Sequence, residues 1–349
     1  MRTPGRPTLQ DVADLAGVSM GTASSVFSRR QPVADRTREA VLRAAAEIGY
    51  RPRRRLGTLD VRGLSTIGLL ARPANYPGPK NQYSAQVLQG AQRAAADLGL
   101  TMTYEVLSAD AGGPRLPLMV ERREVQGLLV LGGIELRLLE RVLRAGVPCV
   151  LIDHTVDDLL VDSVRADDRR GGALATAYLL RLGHRNPAPA FIGGGGSISS
   201  RDRAAGYRAA LAAFGFLPDP AYVHEASDVD TEAARQAMNA LLDLPRPPTA
   251  VFCGSDTAAF GAMQILRDRR VSVPRKCSVV GFDDIDLATT TVPALTTVRV
   301  DKHLLGAQGV WHLVQRIRQP QMPRRVTYAD VNLTVRGSAA PATASTSYR

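Results

Sequence analysis

Two periodicities divide the chain. From Leu9 to about Ile48, apolar residues recur every three or four positions in short bursts. Val12, Leu15 and Ala16 share one helical face, then Ala23, Val26 and Phe27, then Val41, Leu42, Ala45 and Ile48. This spacing predicts three short helices. Thr8 with Asp11 three residues on supplies a capping box, Gly17 supplies a left-handed stop, and Ser19 caps the second helix. The third begins near Asp35. Two helices joined by a tight glycine turn, closed by a third, make a helix-turn-helix. Ala13 is small where the first two helices must approach. The second helix leaves Met20, Gly21, Thr22, Ser24 and Ser25 on its outer face, thin enough to enter a major groove.

Beyond residue 65 the pattern changes to continuous apolar runs alternating with amphipathic stretches. TIGLLA, TMTYEV, GLLVLG, CVLID, AFIGG, TAVFCGS, CSVVGF and LTTVRV are predicted strands, apolar throughout as strands covered on both faces should be. Between them lie predicted helices at Gln82–Leu98, Ile134–Ala145, Arg169–Leu182, Asp202–Phe214, Thr231–Leu242, Asp256–Arg269 and Lys302–Arg318. The alternation predicts a parallel α/β fold, and its length calls for two similar subdomains. Residues 1–50 are thus a headpiece, 51–65 a hinge segment, 66–337 an α/β core and 338–349 a disordered tail.

Charge sharpens this division. The 349 residues carry a formal net charge of +11, and residues 1–62 hold twelve arginines against six acidic residues, a net +6. A basic terminus of this kind implies a polyanionic partner. Ser19, Thr22, Ser24 and Arg29 suit phosphate contacts, with Thr8 beside them. Arg53, Arg54 and Arg55 form a cationic run. It is either a solvated linker or a segment that orders on DNA, with Leu56 or Leu59 as an apolar wedge. The three cysteines stand apart in apolar runs, and the five histidines form no ligand set. No metal and no cofactor is expected. No run reaches the ~18 apolar residues of a membrane span, and no apolar signal core opens the chain, so a cytoplasmic location is expected.

In open α/β sheets ligands lodge beyond the carboxyl ends of strands. Asp153 and His154, Ser197 and Ser199, Ser255 and Asp283 occupy those places, and Arg203 opens the helix after the glycine run. Asp256 and Asp284 stand there too and read as helix caps. Tyr76 and Tyr83 follow the first strand as walls. GGGGS lacks the Gly-Lys-Ser/Thr of a phosphate loop. No nucleophile–base pair appears, and no catalytic residue is expected.

TLQDVADLAGVS, TREAVLRAAAEIGYRP and a basic hinge ending in STIGLL resemble the opening of the lac repressor/galactose repressor family of bacterial transcription regulators. The likeness continues through VQGLLVLGG, LRLGHR, RAAGYRAAL, PTAVFCGSDTAAFGAMQIL, PALTTVRVD and LTVRGSAAP. The resemblance implies a core of the type I periplasmic-binding-protein kind, with crossings between subdomains near 168, 292 and 320. It places Met20, Gly21 and Ser25 at base-reading positions and Leu59 at the minor-groove wedge. Arg203 and Asp283 fall on the main effector-binding positions, and Ser255 where an asparagine is frequent. Gly57 stands in the hinge where relatives carry arginine. The implied partners are a roughly palindromic operator DNA, a small-molecule effector of the sugar class, and a second copy of the chain in a homodimer. Two other functions fit parts of the pattern: a solute-binding component of sugar transport, and a nucleotide-using α/β enzyme.

Overall fold

The computed structural model describes residues 8–28, 33–48, 59, 61–73, 81–107, 115–226 and 230–342. It divides into two compact units, 1–59 and 60–349.

In the first unit, helix α1 spans Leu9–Ala16, α2 Met20–Ser28 and α3 Asp35–Glu47. The Thr8 N–H donates to Asp11 Oδ2 at 2.7 Å, and the Asp11 N–H donates to Thr8 Oγ1 at 3.3 Å, which closes the predicted capping box. Those bonds from Thr8 hold the Asp11 carboxyl below its usual pKa. Gly17 takes φ 65, and Val18 N–H returns to the Ala13 carbonyl at 3.0 Å. A left-handed residue here turns the chain sharply enough to start α2 three residues later. The core is Val12, Ala13, Ala23, Val26, Val41, Ala44 and Ala45. Leu15 and Leu42, predicted to face inward, are instead 48% and 49% exposed. Small alanines at 13, 44 and 45 let the helices approach closely, and the longer leucines at 15 and 42 turn outward.

The second unit holds two six-stranded sheets. The first contains β1 (Thr66–Ala71), β2 (Thr101–Val106), β3 (Leu128–Leu131), β4 (Cys149–Ile152), β5 (Asp162–Ala166) and β11 (Val326–Ala329). Their order is β11-β5-β4-β3-β1-β2, all parallel. The second contains β6 (Ala190–Gly194), β7 (Val223–Ala226), β8 (Ala250–Cys253), β9 (Ser278–Asp283), β10 (Thr296–Val300) and β12 (Val331–Thr334). Their order is β12-β10-β9-β8-β6-β7, with β12 antiparallel to β10. Helices α4 (Gln82–Asp97), α5 (Leu118–Glu121), α6 (Leu136–Arg144) and α11 (Lys302–Arg318) cover the first sheet. Helices α7 (Asp168–Arg181), α8 (Ile198–Ala213), α9 (Thr231–Leu242) and α10 (Asp256–Asp268) cover the second. These are two lobes, each with its own apolar core.

Four strands escape a reading by hydrophobic runs: β5, β7, β11 and β12. In β5 all five residues are buried, among them Asp162, Ser163 and Arg165. Asp162 is tolerated because Arg316 donates Nε and Nη2 to its carboxylate at 3.0 and 2.7 Å, and Arg325 N–H adds a third bond at 2.8 Å. Burial opposes the charge there, yet these bonds hold the carboxyl below its usual pKa.

The chain crosses between lobes at Asp167, Asp301 and Asp330. The resemblance implies crossings near 168, 292 and 320. The second falls at 301 rather than 292, because β10 completes the second sheet before the chain leaves it. The third falls at 330 rather than 320, because β11 first pairs beside β5, with Ala329 opposite Ala166. The tail expected from 338 is also corrected. Ser338 is fully buried, donates to the Val279 carbonyl at 2.6 Å and accepts from Thr296 N–H at 2.8 Å. Ala342 N–H reaches the Leu182 carbonyl at 2.8 Å. Residues 343–349 lie outside the described residues.

Candidate functional site

On α2 the outward residues lie as the helical spacing predicts. Met20 is 54% exposed, Gly21 is exposed, and Thr22 and Ser25 are half-buried. Their polar atoms are partly engaged. Ser19 Oγ accepts from Thr22 N–H at 3.1 Å and shares a hydrogen bond with Thr22 Oγ1 at 2.9 Å; Ser25 Oγ donates to the Gly21 carbonyl at 2.9 Å. Among the described residues, the free reading surface here is therefore Met20, the bare backbone at Gly21 and the second lone pairs of three hydroxyls. Thr8 spends its hydroxyl on the cap. The Ser24 side chain, Arg29, Arg53, Arg54, Arg55, Leu56 and Gly57 fall outside the described residues; Leu59 is described and half-buried.

In the second unit the close crossing of α7 and α8 sets the chemistry. A Cβ on Gly206 would stand 2.0 Å from the Arg169 carbonyl oxygen, and one on Gly172 would stand 2.2 Å from that of Arg203. Only glycines allow this approach, and it brings Asp168 against Arg203. Arg203 is buried, and its donors are engaged: Nε on Asp168 at 2.8 Å, Nη1 on the Gly254 carbonyl at 2.7 Å and Nη2 near Asp283 at 3.2 Å. The guanidinium also sits 3.8 Å from the Phe282 ring centroid. Arg165 lengthens the chain of charges, reaching Asp202 at 2.6 Å and Asp168 at 3.5 Å.

Burial pushes Asp168 up to about 6, against the pull of Arg203, and does the same to Asp283. Arg203 itself is held charged: burial works against its proton, but Asp283, Asp168 and Asp153 outweigh it. Asp283 and Asp284 both have left-handed backbones, φ 108 and 53. Lys302 holds them there, with Nζ donating to their carbonyls at 2.5 and 2.9 Å. From the other lobe, Asp153 (φ 60) accepts from Ser199 Oγ at 3.0 Å. Tyr83 is half-buried nearby, its hydroxyl buried with no hydrogen-bond partner among the described residues; burial, then Asp153 and Asp283, raise its pKa.

Tyr83 and Asp153 from one lobe thus meet Ser199, Arg203 and Asp283 from the other. Two predicted residues serve the fold instead: Ser197 caps α8 by accepting from Ser200 N–H at 3.0 Å, and Ser255 caps α10 through Ala258 N–H at 3.1 Å. His154 lies beside Asp153 at the rim, and Tyr76 falls outside the described residues. The capping reading of Asp256 and Asp284 is corrected. Asp256 is buried, accepts from Ile285 N–H at 2.9 Å and Thr297 Oγ1 at 2.5 Å, and is pushed up to about 8 by burial; Asp284 accepts from Arg336 at 2.6 Å. Sequence reasoning missed Asp168, Arg165, Phe282 and Lys302. Asp168 follows β5, a strand whose polar residues hid it. Phe282 lies inside an apolar run, and Lys302 opens a helix on which the spacing gives no sign of burial.

Comparison with known proteins agrees with this architecture. Residues 8–53 match the pattern of bacterial regulatory proteins of the lacI family, and residues 176–339 match a periplasmic binding protein-like domain. The chain is 32% identical to the ribose operon repressor of Haemophilus influenzae over 336 residues, covering 95% of this chain and 98% of that protein. It is 30% identical to the HTH-type transcriptional repressor PurR of Photobacterium profundum, with coverage of 95% and 98%. Among solved structures it resembles a transcriptional regulator CelR–cellobiose complex, with TM-score 0.69, 32% identity, and coverage of 95% of this chain and 100% of that one. It also resembles the lac repressor dimer bound to operator and an anti-inducer, with TM-score 0.67, 26% identity, and coverage of 96% and 100%. The chain belongs to the lacI family of bacterial regulatory proteins.

Proposed function

We propose that this protein is a DNA-binding transcription repressor whose operator affinity is set by a sugar-class effector bound between the two lobes. The observation that carries the reading is the convergence of Tyr83 and Asp153 from one lobe with Ser199, Arg203 and Asp283 from the other. Carboxylates alternating with a guanidinium over an aromatic ring suit a polyhydroxylated ligand: each hydroxyl can donate to a carboxylate and accept from an N–H. The ribose repressor and cellobiose-complex relatives support the same class. Residues 1–50 read the operator, with Met20, Gly21 and Ser25 toward bases, Thr8, Ser19, Thr22, Ser24 and Arg29 toward phosphates, and 51–65 as the hinge with Leu59 as wedge.

One short headpiece buries too little surface for specific affinity, so two copies bind a roughly palindromic site. An apolar groove of about 590 Å³ between α10 and residues 287–293, with Val292 96% exposed, offers a surface that pairing would cover. Closing of the lobes alters how the hinges order on DNA, which couples the two sites. No helix among the described residues is long and apolar enough to cross a membrane, and a protein of this function acts at the nucleoid in the cytoplasm. The test is a gel shift with promoter fragments from the neighbouring genes, repeated with a panel of sugars. One sugar should change operator affinity, and Asp283→Ala should blunt that response with basal DNA binding retained. An unchanged response in Asp283→Ala removes the cleft from the account.

A further inference from the structure

The segment read as the hinge, 51–65, runs directly into β1, and side chains hold the place where it joins the core. Leu64 N–H donates to the Val61 carbonyl at 2.9 Å across a turn in which Gly63 takes φ 73. The chain then enters the first sheet. Thr101 N–H donates to the Ser65 carbonyl at 2.7 Å, and Gln126 N–H to the Thr66 carbonyl at 2.9 Å.

Gln126 adds its side chain to this pairing. Its Oε1 accepts from Ser65 N–H at 2.7 Å, Thr66 N–H at 3.1 Å and Ser65 Oγ at 3.3 Å, and its Nε2 donates to the Gly63 carbonyl at 2.8 Å. An amide suits this place because it accepts and donates at once. β3 begins only at Leu128, so the Gln126 amide prolongs the hold on β1 toward the hinge. The next residue, Gly127, admits a second hold. A Cβ there would stand 2.8 Å from Ile317 Cδ1 and 2.9 Å from Leu313 Cδ1, so the last turns of α11 press on this backbone. Arg318, the last residue of α11, thereby reaches the same root, where its Nη2 donates to the Arg62 carbonyl.

Strand ends and chain exits ordinarily open at little cost in free energy. Here two exposed side chains from distant parts of the chain grip the backbone of residues 62–66. Bonds made at the surface fix where the chain leaves the core more than they stabilise the core itself. We propose that Gln126, with Arg318 beside it, is a positioning residue for operator binding: it fixes the root of the hinge, so that the two hinges of a dimer are presented at one spacing. Half-sites lie at a set separation on the duplex. A tether released at its root spreads each headpiece over more positions and lowers its effective concentration at its half-site. Random duplex has no half-site spacing to match, so the loss falls on the operator. The inference rests on the reading of the chain as a dimeric operator-binding regulator.

The test uses full-length Gln126→Ala and, separately, Arg318→Gln. Competition binding at one fixed salt concentration gives the affinity of each for a promoter fragment from the neighbouring genes and for scrambled duplex. In Gln126→Ala the promoter affinity should fall about tenfold while the scrambled-duplex affinity stays within about twofold. Arg318→Gln should move the ratio the same way by less. Hydrogen exchange on the free protein reads the clamp itself: protection of the Ser65 and Thr66 amides should be lost in Gln126→Ala, with that of Gly68 kept. The melting temperature of the core should move by less than about 2 °C. An unchanged ratio overturns the proposal, and lost amide protection beside it shows a structural role only. Equal loss on both duplexes overturns it as well. Should core melting fall further in Gln126→Ala, the ratio in Arg318→Gln decides: a fall supports the proposal and an unchanged value overturns it. A wild type with no preference for any promoter sinks the operator-binding reading and this inference together.

Discussion

Replacing Arg203 by methionine keeps a long side chain in the cleft floor and removes the one cation that both Asp168 and Asp283 share. Each carboxyl titrates near 6 with the arginine present, well above the ordinary carboxylate value, because burial outweighs the attraction of the guanidinium. Without Arg203 both rise further, because the guanidinium no longer opposes the effect of burial. Each pKa unit of that rise costs about 1.4 kcal/mol at neutral pH. Losing the bonds from Nε and Nη1 adds to this, and the total of about 3–5 kcal/mol agrees with the usual effect of breaking a buried ion pair.

The pH dependence has a definite sign. A carboxyl whose native pKa is raised contributes stability that is complete below its unfolded value and is lost as pH rises through the native value. In the wild type that loss ends near 6; in the variant it continues upward. The deficit of Arg203→Met should therefore be small near pH 5 and full at about pH 7.5. Thermal unfolding followed by circular dichroism at both pH values reads it, with an expected loss of about 6 °C or more at the higher pH and less than half that at the lower. A deficit equal at both pH values, or larger in acid, refutes the argument that these carboxylates are held charged by Arg203.

Other outcomes follow from the two ends of the chain. Gly17→Ala meets no neighbour within 4 Å, so only its φ of 65 matters; headpiece stability should drop by about 1 kcal/mol, with weaker operator binding and an unchanged melting of the core. Truncation after residue 337 removes the Ser338 and Ala340 bonds to the second sheet; the core's melting temperature should fall by several degrees, where a disordered tail would leave it unmoved.

Much of this was legible in the sequence, and the reasons are local. Capping at Thr8 and the turn at Gly17 depend on one or two residues and their chemistry, so both appear in the structure as the spacing predicts. Strands such as β3 and β8 are buried on both faces and announce themselves as apolar runs. What was not legible depends on partners far along the chain. Asp162 can be buried only because Arg316 and Arg325 reach it, and so β5 reads as a loop until α11 and β11 are in place. Asp168 becomes a cleft residue only because Gly172 and Gly206 let two helices touch. Ser197 and Ser255 carry the right chemistry at strand ends, yet each is spent on a helix cap that the same position also requires. The outward turn of Leu15 and Leu42 reflects a headpiece core built from alanines, where periodicity alone cannot separate two adjacent faces.

The claim beneath all of this is that a basic helix-turn-helix grips a particular duplex and a two-lobed sensor adjusts that grip. Competition binding measures it most directly: full-length protein on a labelled promoter fragment, titrated with unlabelled promoter or scrambled duplex at fixed salt. The account predicts a preference of about a thousandfold or more for the promoter, shifted by one small metabolite. Equal competition by the two duplexes, with and without every metabolite tried, contradicts it.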